Sequence, residues 1–196
     1  MTPLKPTMDR LIGNDYWRSV MYSRIGLNHE LKSIKGEGVE FGGSNGIIQN
    51  MLPLIKWGVR LYPQYDITRE SSFERNWDVI IADQVLEHTA QPWDAIRLIG
   101  EHTKRMAIIT VPFLIGIHPS PHDYWRMTPR IINDLTKPYF AHRDIQSWGN
   151  AKVNYWHAVY NRTSTLLANI PEPELEAELN NNDPKKPFVI WAVLTK

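Results

Sequence analysis

Short, largely apolar runs return along this chain with amphipathic stretches between them, and that alternation limits its possible folds more than any other feature. Trp77-Asp78-Val79-Ile80-Ile81-Ala82 is apolar almost throughout, as a strand buried on both faces must be. Arg105 to Val111 repeats the pattern and stops at Pro112, while Gly38 to Phe41, His142 to Ser147 and Phe188 to Leu194 read as further strands. Val59 to Thr68 is extended and aromatic. Helical spacing of Leu11, Ile12, Tyr16, Val20 and Met21, then Leu27, Leu31 and Ile34, predicts one or two helices within Met8 to Lys35, broken at Gly26. Further helices are predicted at Ile47 to Lys56, bent by Pro53, after Pro92, at Arg130 to Thr136 and at Val153 to Ile170. Pro171 to Lys186, rich in Glu, Asn and Pro, reads as a solvated loop.

Strands alternating with helices predict an α/β, Rossmann-like domain with a mostly parallel sheet, helices on both faces, and ligands beyond the carboxyl ends of the strands. The 196 residues fit one compact domain. Residues 1–35 are expected as a helical cap and 36–196 as the α/β body. A net charge of +1 carries no electrostatic footprint for nucleic acid or an anionic membrane. With no cysteine, disulfides, thiolate nucleophiles and cysteine-bound zinc are excluded together. Neither a signal-like start at Met1 to Gly13 nor a run of about 18 apolar residues occurs, so the cytoplasm is the expected location.

The first strand runs into Glu40-Phe41-Gly42-Gly43-Ser44-Asn45-Gly46. Such a turn offers backbone N–H groups and close approach to a ligand, a cradle for an anion or a nucleoside. The dinucleotide spacing G-x-G-x-x-G fails in every frame, since from Gly42 its positions carry Ser44 and Ile47, and from Gly43 Asn45 and Ile48. A phosphate loop ending in Gly-Lys-Ser/Thr is absent as well. Taken alone, the turn is equally a flexible strand-to-helix connection.

The turn resembles the first motif of class I S-adenosylmethionine (SAM)-dependent methyltransferases, with Glu40, Gly42 and Gly46 matching and Ser44 in place of the middle glycine. Trp77 to His88 followed by Pro92-Trp93 looks like the fourth-strand motif of that superfamily, and Ile108 to Phe113 is similar to its fifth strand. His122-Asp123-Tyr124-Trp125-Arg126-Met127-Thr128-Pro129 resembles a segment found in a type 11-like branch, with Trp148-Gly149-Asn150 and Phe188 to Val193 as later landmarks. The resemblance covers residues 34 to 196 and implies SAM as cofactor. It places Glu40, Gly42, Gly43, Ser44, Gly46, Asp66, Ile67, Asp83, Gln84 and Val85 around that cofactor.

One departure stands out. About twenty residues separate Gly46 from Asp66, where the usual fold has two helices and two strands, so the sheet is expected to be shortened between its first and fourth strands. Asp66 fits the adenine-side aspartate, and the ribose-binding acid has no counterpart. Asp66 serves both roles, or a group from the N-terminal helices holds the ribose, or cofactor binding is lost.

Methyl transfer from a sulfonium is an in-line displacement, needing positioning and removal of one proton. His88, just past the fourth strand, and His122 and Asp123 in the proline-rich loop are the candidate bases. Each has a structural alternative: His88 as a loop stabiliser, Asp123 in an ion pair with Arg126. His118, His122 and Asp123 make a poor ligand pattern, so no metal is assigned. The expected function is methyl transfer to oxygen or nitrogen of a small molecule or glycan, the rival being a non-catalytic binding module of the same fold. A homodimer is compatible with the Trp and Tyr content.

Overall fold

The computed structural model describes residues 16–42, 46–118, 122–160 and 170–196. Along Trp77–Asp83, Val79 and Ile81 enter one core while Trp77, Ile80 and Ala82 enter another, because successive side chains of a strand leave on opposite faces. Six strands are built on this alternation: β1 (Gly36–Phe41), β2 (Ile55–Arg60), β3 (Trp77–Asp83), β4 (Thr103–Pro112), β5 (His142–Trp148) and β6 (Val189–Thr195). They form one sheet in the order β2-β1-β3-β4-β6-β5. The strands β2, β1, β3 and β4 run parallel, with Val39 opposite Gly58 and Ile80, and Ile80 opposite Ala107. β6 is antiparallel to both β4 and β5.

Helices cover both faces, as the sequence predicts. On one side lie α1 (Tyr16–Ile25), α4 (Ala151–Tyr160) and α5 (Glu172–Asn180), which bury Trp17, Met21, Val153, Trp156, Leu175 and Leu179 against β3, β4 and β6. The other side carries α2 (Pro92–His102) and α3 (Pro129–Thr136), with Ala95, Ile96, Ile99 and Ile132 packed on Ile80, Ala107 and Ile109. α1 ends at Ile25, just before Gly26, the expected break, and a 3-10 turn follows at His29–Lys32. The predicted helical residues 8–15 and 161–169 lie outside the described residues. Among the described residues no helix is long and apolar enough to cross a membrane.

Three sequence expectations are corrected. The predicted helix at Ile47 to Lys56 is a 3-10 turn, Gln49–Met51, followed at once by β2. Pro53 disfavours helical backbone at the residue before it, and Leu52 leaves the helical region at φ −117 and ψ 69. The expected extended stretch from Val59 to Thr68 is strand only to Arg60. The predicted solvated loop from Pro171 to Lys186 contains α5, in which Leu175 and Leu179, one turn apart, drop into the core. Trp148 secures that packing by donating Nε1–H to the Leu179 carbonyl at 3.0 Å.

Among the described residues β2 is the only strand between β1 and β3, so the sheet is short at this edge. From β1 the chain steps to β2 on one side, then crosses to β3 on the other. That reversal places a crevice at the carboxyl ends of these three strands, the usual ligand site of an open parallel sheet.

Candidate functional site

A cleft of about 1010 Å³ opens at that switch point. The strand ends supply Phe41 and Gly42 from β1, Arg60 and Leu61 from β2, and Asp83, Gln84 and Val85 from β3 and its continuation. Asp66, Ile67 and Thr68 close it beyond β2, and His88, Gln91, His118, His122 and Tyr124 form the far wall.

Gly42 has φ +100, a left-handed conformation, and a Cβ built on it would lie 2.3 Å from Val85 Cγ2. Only glycine meets both conditions without strain. Gln84 is also left-handed at φ 55, held there as its N–H donates to the Thr110 carbonyl at 3.1 Å and its Nε2–H to Thr110 Oγ1 at 2.9 Å. Two unusual backbone turns thus face each other across the mouth of the sheet, where proteins tend to store strain for a ligand.

Asp83, 3% exposed, receives the Tyr22 hydroxyl at 2.5 Å on Oδ2 and the Thr110 hydroxyl on Oδ1. Burial, then the Asp83 charge, push the Tyr22 hydroxyl far above its usual range, so it remains a donor. Asp66 is held by its own turn, accepting from Thr68 N–H at 2.9 Å and Thr68 Oγ1–H at 2.7 Å. At the end of β2, Arg60 pairs with Glu74 at 2.7 Å and lies 4.5 Å over the Tyr65 ring. The end of β2 therefore presents a guanidinium to the cleft.

The segment after β3 and the loop after β4 are joined side to side. Tyr124 N–H donates to the Glu87 carbonyl at 2.7 Å, and His88 Nδ1–H donates to the His122 carbonyl. Arg126 clamps both Asp123 oxygens at 2.5 and 2.7 Å and donates to the Ile115 and Gly116 carbonyls at 3.1 and 3.2 Å. Its hydrogen bonds hold the Asp123 carboxyl down at about 2. Asp123 also accepts His118 N–H at 2.9 Å. Glu87, 1% exposed in the turn Leu86–His88, is pushed up to about 8 by burial. Burial pushes His118 below the usual imidazole range.

Of the residues singled out in the sequence, Gly42, Asp66, Ile67, Asp83, Gln84, Val85, His88 and His122 line the cleft together. Glu40 is fully buried and accepts from Gln49 Nε2 at 2.5 Å, tying β1 to the following 3-10 turn. Gly46, at φ +68, carries the chain into that turn. Gly43 and Ser44 lie outside the described residues. Asp123 is an anchor for the loop, its carboxylate committed to Arg126, and this is the ion-pair alternative the sequence left open. Tyr22, Arg60, Thr110 and Glu87 were not legible as site residues, because each reaches the site through contacts distant in sequence. For Glu87 there was a signal, an acid beside a histidine directly after a buried strand.

The sequence matches no protein-family model and no curated protein. The fold, by contrast, is similar to that of solved methyltransferases. A SAM-dependent methyltransferase from Archaeoglobus fulgidus matches with a TM-score of 0.55 at 10% identity, over 91% of this chain and 94% of that one. An O-methyltransferase family protein from Burkholderia thailandensis gives 0.52 at 8% identity, over 96% and 57%. Phosphoethanolamine N-methyltransferase 2 from Haemonchus contortus, solved in complex with S-adenosyl-L-methionine, gives 0.50 at 10% identity, over 89% and 52%. The chain thus has the Rossmann-like α/β fold of SAM-dependent methyltransferases of known structure.

Proposed function

We propose that this chain is a SAM-dependent methyltransferase acting on oxygen or nitrogen of a small molecule or a glycan. The observation that carries the reading is the left-handed Gly42 at the end of β1, packed against Val85 and opening the cleft beside Asp83 and Gln84. Gly42, Asp66, Ile67, Asp83, Gln84 and Val85 hold the cofactor in this reading, with Glu40, Gly43, Ser44 and Gly46 shaping the turn.

In the reaction a lone pair of the acceptor attacks the methyl carbon, the carbon–sulfur bond breaks, and its electrons remain on sulfur as the neutral thioether S-adenosylhomocysteine. The acceptor's proton leaves to a base. His88 and His122 line the cleft and are the candidates. For His88 the free nitrogen is Nε2, because Nδ1–H is committed to the His122 carbonyl. Asp123 contributes by anchoring the loop that carries His122.

Calorimetry with S-adenosylhomocysteine tests the reading: saturable binding lost in Gly42→Val supports it, and no binding at millimolar ligand sinks it. A non-catalytic binding module is the second reading, favoured by Arg60 at the end of β2. Transfer of labelled methyl into any acceptor pool would remove it.

A further inference from the structure

We propose that Glu87, His88 and His118 form a binding site for one divalent transition-metal cation of the zinc class, set in the wall of the cleft. One ligand atom from each of the three residues lies within 4.8 Å of the other two. Glu87 Oε1 is 3.6 Å from His88 Nε2 and 4.0 Å from His118 Nε2, and the two rings meet edge to face with centroids 5.1 Å apart. Ligand atoms around a tetrahedral zinc stand about 3.4 Å apart, so closure needs movements on the order of an ångström, within reach of His118 on its loop.

Both imidazoles are prepared for a cation. His88 Nδ1 faces the His122 carbonyl, and His118 Nδ1 faces the Gly116 carbonyl at 3.0 Å. A carbonyl oxygen only accepts, so each ring keeps its proton on Nδ1 and turns a bare Nε2 lone pair towards Glu87. Metal-bound histidines are oriented in this way, by a carbonyl or carboxylate on the far nitrogen. Asp123 Oδ2, 3.3 Å from His118 Nδ1, adds a carboxylate to that outer layer.

Glu87 supplies the independent observation. Its side chain is 1% exposed, yet neither carboxylate oxygen has a hydrogen-bond partner among the described residues. Buried carboxylates are ordinarily paired or bound to a metal, since burial without a partner is costly. The nearby cation cannot serve, because Arg126 is spent on Asp123 and on backbone carbonyls. A divalent ion between Glu87 and the two Nε2 atoms satisfies all three groups at once.

Two imidazoles and one carboxylate with an open position is the donor set of a borderline cation rather than of magnesium, which prefers oxygen. His88 and His118 line the cleft, so the open position faces its interior. There the ion would receive water or an acceptor hydroxyl and weaken its O–H bond, with His88 a ligand and no longer a base. This use rests on the methyltransferase reading. The binding does not.

The test uses the full chain freed of metal by a chelator, titrated with Co²⁺ followed by its visible d–d bands and with Zn²⁺ by calorimetry. One ion per chain is expected, weakened at least about a hundredfold in Glu87→Gln and in His118→Ala. Glu87→Gln keeps the volume of the side chain, and His118→Ala lies on a loop outside the core, so at least one variant folds. Absence of stoichiometric binding by the wild type, or unchanged binding in both variants, overturns the site. Calorimetry with S-adenosylhomocysteine on the same preparations separates the two readings. Cofactor binding without metal binding overturns the metal site alone, and metal binding without cofactor binding overturns the methyltransferase alone.

Discussion

Tyr22, in the helix that begins the described chain, donates its hydroxyl to Asp83 at the carboxyl end of β3 across 2.5 Å. The bond joins a surface-covering helix to the floor of the cleft, 61 residues away. Tyr22→Phe removes the donor and leaves Asp83 Oδ2, in a residue 3% exposed, without that partner. The expected cost is about 1–3 kcal/mol of stability, seen as a lower urea midpoint with an unchanged slope. In the proposed function the same change weakens S-adenosylhomocysteine, because Asp83 lines the cleft. An unchanged midpoint together with unchanged affinity would show that the contact holds nothing in place.

Gly42→Ala tests the turn itself. The variant must hold an alanine at φ +100 and bring its Cβ to 2.3 Å from Val85 Cγ2. A left-handed non-glycine residue costs about 1–2 kcal/mol, and displacement of Val85 disturbs the cleft wall. Circular dichroism should report an intact fold while S-adenosylhomocysteine affinity falls about tenfold or more. Adding Val85→Ala removes the contact and leaves the backbone strain, so the double variant recovers only part of the loss. Full recovery would place the whole effect in the side-chain clash.

How far the sequence reveals this molecule depends on where each element is buried. β3, β4 and β6 were legible because they are covered on both faces and therefore written almost wholly in apolar residues. β2 is an edge strand whose Lys56, Val59 and Arg60 mix exposed and polar positions, so its first residues, Ile55 and Lys56, were absorbed into a helical pattern. α5 was hidden by its glutamates, since two leucines suffice to bury it and the rest of its surface meets water. At the site, the strand ends announced themselves through Gly42, Asp83 and Gln84. The Glu87–His88–His118 cluster did not, because thirty residues separate His88 from His118 and only the fold-back of the loop after β4 brings them together.

That fold-back depends on Arg126. Its guanidinium reaches both Asp123 oxygens and the carbonyls of Ile115, Gly116 and Trp125, a planar fork that lysine cannot imitate. Arg126→Lys keeps one charge and loses the fork. Hydrogen exchange at the His118 and Tyr124 amides, which close the loop onto Asp123 and Glu87, is expected to quicken about tenfold, since charge-assisted bonds are worth about 1.5–3 kcal/mol. Protection in β3 and β4 should stay as it was, because the loop opens without the sheet. Unchanged exchange at both amides would mean that the Tyr124–Glu87 and His88–His122 contacts hold the loop unaided.

Asn150 lies just past β5, where one amide serves two helices. Its Oδ1 accepts the N–H groups of Lys152 and Val153 at 3.0 and 2.9 Å and so caps α4. Its Nδ2 donates to the Glu178 and Asn181 carbonyls, each at 3.0 Å, and satisfies the end of α5. At 3% exposure no water replaces these bonds when they are lost. Asn150→Ala should cost about 2–3 kcal/mol in urea unfolding, the sum of a lost cap and an unsatisfied helix end. Asn150→Ser retains a capping oxygen without the reach to α5, so its stability falls between wild type and the alanine variant. If the serine and alanine variants were equally destabilised, the bonds to α5 would carry the whole effect and the cap of α4 none of it.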